Sequence, residues 1–98
     1  MFRHVVLFKW NDDVDDAHIE AVSAGLDNLA TVIEEIKDYK HGRDVGLSDQ
    51  NFDYVVVGDF DSVEGYQVYR DHPVHQELIA ELITGRISTR ASVQYEVG

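Results

Sequence analysis

Cysteine is absent from the 98 residues. That excludes a disulfide framework, a thiolate nucleophile and a thiolate-ligated metal site. Proline occurs once, at Pro73, and no Pro-, Ser- or Gly-rich linker divides the chain. One domain over residues 1–98 is therefore expected. Basic residues are scarce: 8 Lys and Arg stand against 19 Asp and Glu, a net charge of −11. Phosphate-backbone binding needs clustered cations, and these are scattered, so nucleic acid is not an expected partner. An anionic membrane surface is disfavoured for the same reason. Long apolar runs are missing too. Val5–Phe8 and Tyr54–Val57 are the longest, far below the ~20 residues of a membrane span. No signal-like segment stands before the first strand-like run, and a cytoplasmic protein is the expectation.

What the chain does hold is a regular alternation of two periods. Residues 2–10 (FRHVVLFKW) are β-branched and aromatic and predict a strand. Its faces are His4, Val6, Phe8, Trp10 and Arg3, Val5, Leu7, Lys9, both apolar in the middle. Ile19, Val22, Leu26, Leu29 and Ile33 recur at three- and four-residue spacing and predict a helix over about 14–33, with Asp13 as a cap. Residues 36–46 are polar and fit an edge strand. Phe52–Phe60 predicts another strand, again apolar on both faces. Asp61–Glu64 (DSVE) has a capping-box pattern. The helix it opens should break at His72-Pro73, resume over about 73–84, and stop at Gly85. Ile87–Val97 is the last strand, with Ile87, Thr89, Ala91, Val93, Tyr95 and Val97 assigned to one face.

The predicted order is β-α-β-β-α-β, an α+β, ferredoxin-like arrangement: a four-stranded antiparallel sheet with helices on one face. Val5, Leu7, Val55 and Val57 would then lie bare on the other face. A bare apolar patch marks an interaction surface, and a homodimer packed sheet on sheet is the expected partner arrangement.

Three segments carry a family likeness: HVVLFKW (4–10), FDYVVVGDFDSVEGYQVY (52–69) and YRDHPVHQEL (69–78). They resemble the stress-responsive dimeric A/B barrel (Dabb) family, over essentially the whole chain. The His-Pro-x-His tract is the most specific mark. The resemblance implies a dimeric α+β barrel. One plant member closes a linear polyketide by aldol condensation, using a Tyr and a His of a Tyr-x-x-His-Pro-x-His tract. By that match Tyr69 and His75 are the implied catalytic pair, and His4 an implied pocket residue. The chain departs from that cyclase at Leu26, where it has a pocket Tyr, and at Tyr54, where it has a His.

On the residues themselves, His is the usual general base near neutrality, and a Tyr hydroxyl can bond a developing enolate oxygen. The expected site is Tyr69 and His75 as catalytic residues, with His4, Val6, Leu26, Tyr54 and His72 facing substrate. His72 also reads as a cap for the second helical piece. Tyr69, His75, His4 and Tyr54 should share one cavity, and His18 and His41 should lie outside it, towards solvent. No metal is expected. His72, His75 and Asp71 are too few ligands for zinc, and Asp12, Asp13, Asp15 and Asp16 lack the EF-hand spacing. No cofactor is expected either, since there is no Gly-rich phosphate loop. The functional expectation is a protein binding a small aromatic or polyketide-like compound between helices and sheet, as a cofactor-free cyclase or lyase. The alternatives are a non-catalytic stress-response or scaffold dimer, and a cofactor-free monooxygenase or haem-degrading enzyme of the wider superfamily.

Overall fold

The computed structural model describes all 98 residues. Its elements are β1 (Phe2–Trp10), α1 (Asp16–Val32), β2 (Asp38–Arg43), β3 (Tyr54–Phe60), α2 (Val63–Asp71), α3 (Pro73–Leu78) and β4 (Ile87–Glu96), with a π-helical turn, Ile79–Ile83, running on from α3. The strands form one antiparallel sheet in the order β2-β3-β1-β4. The helices cover a single face. Thirteen apolar side chains make the core between the two layers, with Val22, Leu29 and Phe60 fully enclosed.

Local chemistry accounts for most boundaries. The cap of α1 is Asp15, not Asp13: its carboxylate accepts from the His18 N–H at 2.8 Å, because Asp12 and Asp13 are taken up in a turn closed by Val14 N–H on the Asn11 carbonyl. Ser62 caps α2, accepting from Gly65 N–H at 3.1 Å. Glu64 therefore falls at the second helical position, and the second, reciprocal bond of a capping box does not form. The break at His72-Pro73 is present. His72 is extended (φ −61°, ψ 134°) and its Nδ1 accepts from Val74 N–H at 3.1 Å, while Pro73 opens α3. Gly85 ends the helical layer at φ 77°, in the left-handed region that glycine enters without steric cost.

Two irregularities escaped the sequence reading. The π-turn is closed by Thr84 N–H on the Ile79 carbonyl at 2.8 Å. One extra residue per turn keeps Leu78, Ile79 and Ile83 facing the sheet. The second irregularity is a bulge in β4. Lys9 is opposite Thr89 but Trp10 is opposite Ile87, so Ser88 is the extra residue and Ile87 turns to the helix side, away from the face shared by Thr89, Ala91 and Val93.

The far face of the sheet has no cover in the single chain. Val57, Val5 and Val93 line up across three strands, as do Val55, Leu7 and Ala91. Val93 is 62% and Tyr95 47% exposed. Arg3 grips Asp59 at the end of this face with two bonds of 2.7 and 2.8 Å.

Candidate functional site

A cavity of about 380 Å³ lies between the helical layer and the helix side of β1, β3 and β4. Its floor is His4, Val6 and Phe8 of β1 and Val56 of β3. Leu26 of α1 and Leu78, Ile79 and Ile83 supply the apolar roof. Polar groups enter from few places: Tyr39, Tyr66, Tyr69, His75, and Arg70, Gln76 and Arg90. Apolar walls with a few convergent polar groups are the usual make-up of a small-molecule site.

The helix break sets the orientation of His75. A helix leaves its last carbonyls without intrahelical donors. Arg70, in the last turn of α2, offers such a carbonyl, and Pro73 has no N–H to claim it. His75 and Gln76 fill the place: His75 Nδ1 lies 2.9 Å from the Arg70 oxygen, and the Gln76 side-chain amide donates to the same oxygen. A carbonyl only accepts, so Nδ1 carries the proton. In neutral His75 the lone pair is then on Nε2, which has no protein partner. Burial lowers the pKa of His75, partly offset by the Arg70 bond, which favours the neutral ring. His75 also lies against the Tyr69 ring, with centroids 4.2 Å apart.

His4 is the complement. The Gln94 amide donates to its Nδ1 at 3.0 Å, which puts the proton on Nε2. Desolvation first, then the charge of Arg90, hold its pKa down at about 4, so this histidine is a neutral donor at physiological pH. Tyr69 is buried, and its hydroxyl is 2.8 Å from that of Tyr39. Burial pushes the Tyr69 phenol up to about 12, with the Tyr39 bond pulling the other way. When Tyr39 donates in this pair, Tyr69 keeps its own proton for a ligand.

The structure thus brings His4, Val6, Leu26, Tyr69 and His75 to one cavity. It leaves out Tyr54 and His72. Tyr54 does lie on the helix side, but opposite Phe8, whose ring stands on the cavity wall. The Tyr54 ring is buried beyond it, stacked on His41, with its hydroxyl 2.7 Å from His41 Nδ1. His72 is occupied as the cap of α3. His18 and His41 lie outside the cavity, yet neither simply faces solvent. His18 Nε2 is 2.8 Å from the Leu82 carbonyl, tying α1 to the π-turn. The His41 side chain is 9% exposed, held between Tyr54 and Asp27, the latter at 2.7 Å from Nε2.

Among the polar lining, Tyr39, Tyr66, Arg70, Gln76 and Arg90 are the residues that sequence reasoning missed. Tyr39 and His41 share one face of β2, opposite the charged face of Asp38 and Lys40. That aromatic alternation was the available signal. Arg90 is in register with Phe8, and nothing local to β4 announces that its polar face is the one turned to the helices.

A split β-α-β-β-α-β sheet with a cavity under its helices is a ferredoxin-like α+β protein. Residues 2–97 match the model of the Stress responsive A/B Barrel Domain, and the chain belongs to that family. It is 31% identical over 75 residues to olivetolic acid cyclase of Cannabis sativa, covering 74% of each chain. It is 29% identical over 96 residues to the stress-response A/B barrel domain-containing protein HS1 of Arabidopsis thaliana, covering 96% of this chain and 87% of that one. Among solved structures, a dimeric ferredoxin-like protein of unknown function from Thermobifida fusca is 38% identical with a TM-score of 0.90, over 98% of this chain and 90% of that one.

Proposed function

We propose that this protein is a homodimer whose subunits each bind a small aromatic or polyketide-like molecule in the cavity and act on it as a cofactor-free cyclase or lyase of the aldol type. The observation that carries the reading is the pair of opposed tautomers: His75 offers a bare Nε2, and His4 offers an Nε2–H, in a cavity that is otherwise mostly apolar. In such a step His75 Nε2 takes the proton from a carbon next to a carbonyl. The electron pair left on that carbon forms the new bond to a second carbonyl carbon. The oxygen of that carbonyl becomes an alkoxide and takes a proton from the His75 imidazolium, either directly or through Tyr69, which gives up its own proton and is reprotonated by His75. His4 steadies the enolate oxygen by hydrogen bonding. A low-dielectric surround strengthens each of these contacts. The relation to a plant polyketide cyclase supports the choice of chemistry.

The test is turnover of a linear poly-β-keto substrate, offered both as its free acid and as its thioester, by wild type, His75→Ala and Tyr69→Phe. His75→Ala should abolish cyclisation without altering the circular dichroism spectrum or the sedimentation coefficient. Tyr69→Phe should lower kcat by the equivalent of one bond to a charged oxygen, ~1.5–3 kcal/mol. Binding without any turnover in the wild type would favour a non-catalytic binding protein instead.

A further inference from the structure

We propose that the cavity takes its ligand as a carboxylate anion, with Arg90 as the group that holds the charge. The inference rests on the reading of the cavity as a ligand site and adds the chemical class of what enters it.

The charge distribution argues for this. The chain has 19 acidic and 8 basic residues, yet no Asp or Glu lines the cavity, and two of the eight basic residues do. Of these two, Arg70 is already neutralised, with both of its bonding nitrogens on Asp71 at 2.9 and 3.0 Å. Arg90 is not. No carboxylate lies within ion-pair distance of it, and its only side-chain partner is the Ser92 hydroxyl at 3.4 Å. Arg3, Lys37, Lys40 and Arg43 all have carboxylate partners; Lys9 and Arg86 have none, but neither lines the cavity. A guanidinium without a counter-charge, on a surface this acidic, is a vacant half of an ion pair. Its planar fork matches a carboxylate with two parallel bonds.

Position supports the same conclusion. Arg90 sits opposite Phe8 in register, an exposed residue on the strand side that also lines the cavity. Its charge reaches the interior, where it adds to burial in lowering the pKa of His4 and slightly opposes the upward push of burial on Tyr69. A ligand anchored there by its carboxylate lays its carbon skeleton on Phe8, Ile83 and Ile87. Aryl and β-keto carboxylates, as free acids, fit these demands; their neutral esters and amides leave Arg90 unpaired.

Isothermal titration with 2-naphthoate and with 2-naphthamide tests this, since the two probes differ in charge and hardly in shape. Wild type should bind the naphthoate about tenfold or more tightly than the amide, the effect of one charge-assisted contact. Arg90→Gln should remove that preference by weakening naphthoate alone. Arg90→Glu should make the amide the better ligand. Arg86→Gln, which alters the other arginine without a carboxylate partner but lies outside the cavity, should leave both affinities unchanged. Equal affinities in wild type, or a preference for naphthoate that survives Arg90→Gln, would overturn the anion inference and leave the His75 reading standing. Failure of both probes to bind at millimolar concentration would overturn the cavity reading and this inference together.

Discussion

His75 and His4 differ in chemistry because of what each Nδ1 faces: a backbone carbonyl in one case, a side-chain amide in the other. The same burial that shapes them has a thermodynamic cost at low pH. An unfolded histidine takes up its proton near pH 6.5, whereas His4 does so only near 4. Between these values the unfolded chain binds more protons, so the fold loses stability as pH falls from 6.5 towards 4. His75 is shifted in the same direction and adds to the slope. Asp59 acts lower down: Arg3 holds its carboxyl below 3.8, so the stability it contributes is lost only beneath this window. The denaturation midpoint should therefore drop between pH 7 and pH 4.5, and His4→Gln should flatten the drop. Tyr39 is a second point of test. Tyr39→Phe leaves the buried Tyr69 hydroxyl without its partner and should cost about 1 kcal/mol in denaturant unfolding. A loss of kcat beyond that of a stability-matched core variant would mark Tyr39 as a positioning residue for Tyr69.

The helical layer is built from short pieces, and the breaks between them carry the site. If α2 ran on through residue 72, the Val74 N–H would take the Arg70 carbonyl in an ordinary helical bond, and His75 would lose its anchor. Replacing His72 and Pro73 together by Ala should raise helical content in circular dichroism while lowering turnover. His72→Ala alone should cost about 1 kcal/mol through loss of the cap. Gly25 of α1 is the other contact of this layer. A Cβ there would lie 2.6 Å from Leu78 Cδ1, the end of a side chain that lines the cavity. Gly25→Ala gains about 1 kcal/mol of helix propensity and displaces the Leu78 methyl towards the cavity. The expected outcome is a small net change in melting temperature with a clear loss of affinity for cavity ligands.

At the scale of the whole molecule the two faces of the sheet have different fates. One is sealed by helices; the other presents two rows of Val, Leu and Ala with Tyr95 at its end. Removing such a face from water contributes ~25 cal/mol per Å², and a standard interface takes about 800 Å² from each partner. Sedimentation at micromolar concentration should give about twice the chain mass of 11.1 kDa. Val93→Glu, on the exposed part of edge strand β4, should shift the protein to monomer, with the fold intact because its side chain makes no core contact. No helix is long and apolar enough to cross a membrane.

Element identity and order were legible in the sequence, because a period of two or of 3.6 residues is a near-neighbour property and survives without knowledge of the partners. The apolar second face of β1 and β3 was legible for the same reason, and the break at Pro73 and the stop at Gly85 followed from the chemistry of single residues. The pairing of Tyr69 with His75 came instead from the resemblance of the YRDHPVHQEL tract to a family motif. What the tertiary structure alone decided is which polar groups meet. Gln94 reaches His4 across 90 residues, Tyr39 reaches Tyr69 across 30, and Tyr54 turns to His41 and leaves the cavity to Phe8 and Val56. The bulge at Ser88 and the π-turn at Ile79–Ile83 belong to the same class. Each adds one residue that no local propensity demands, so that side chains fit a surface supplied by another part of the chain.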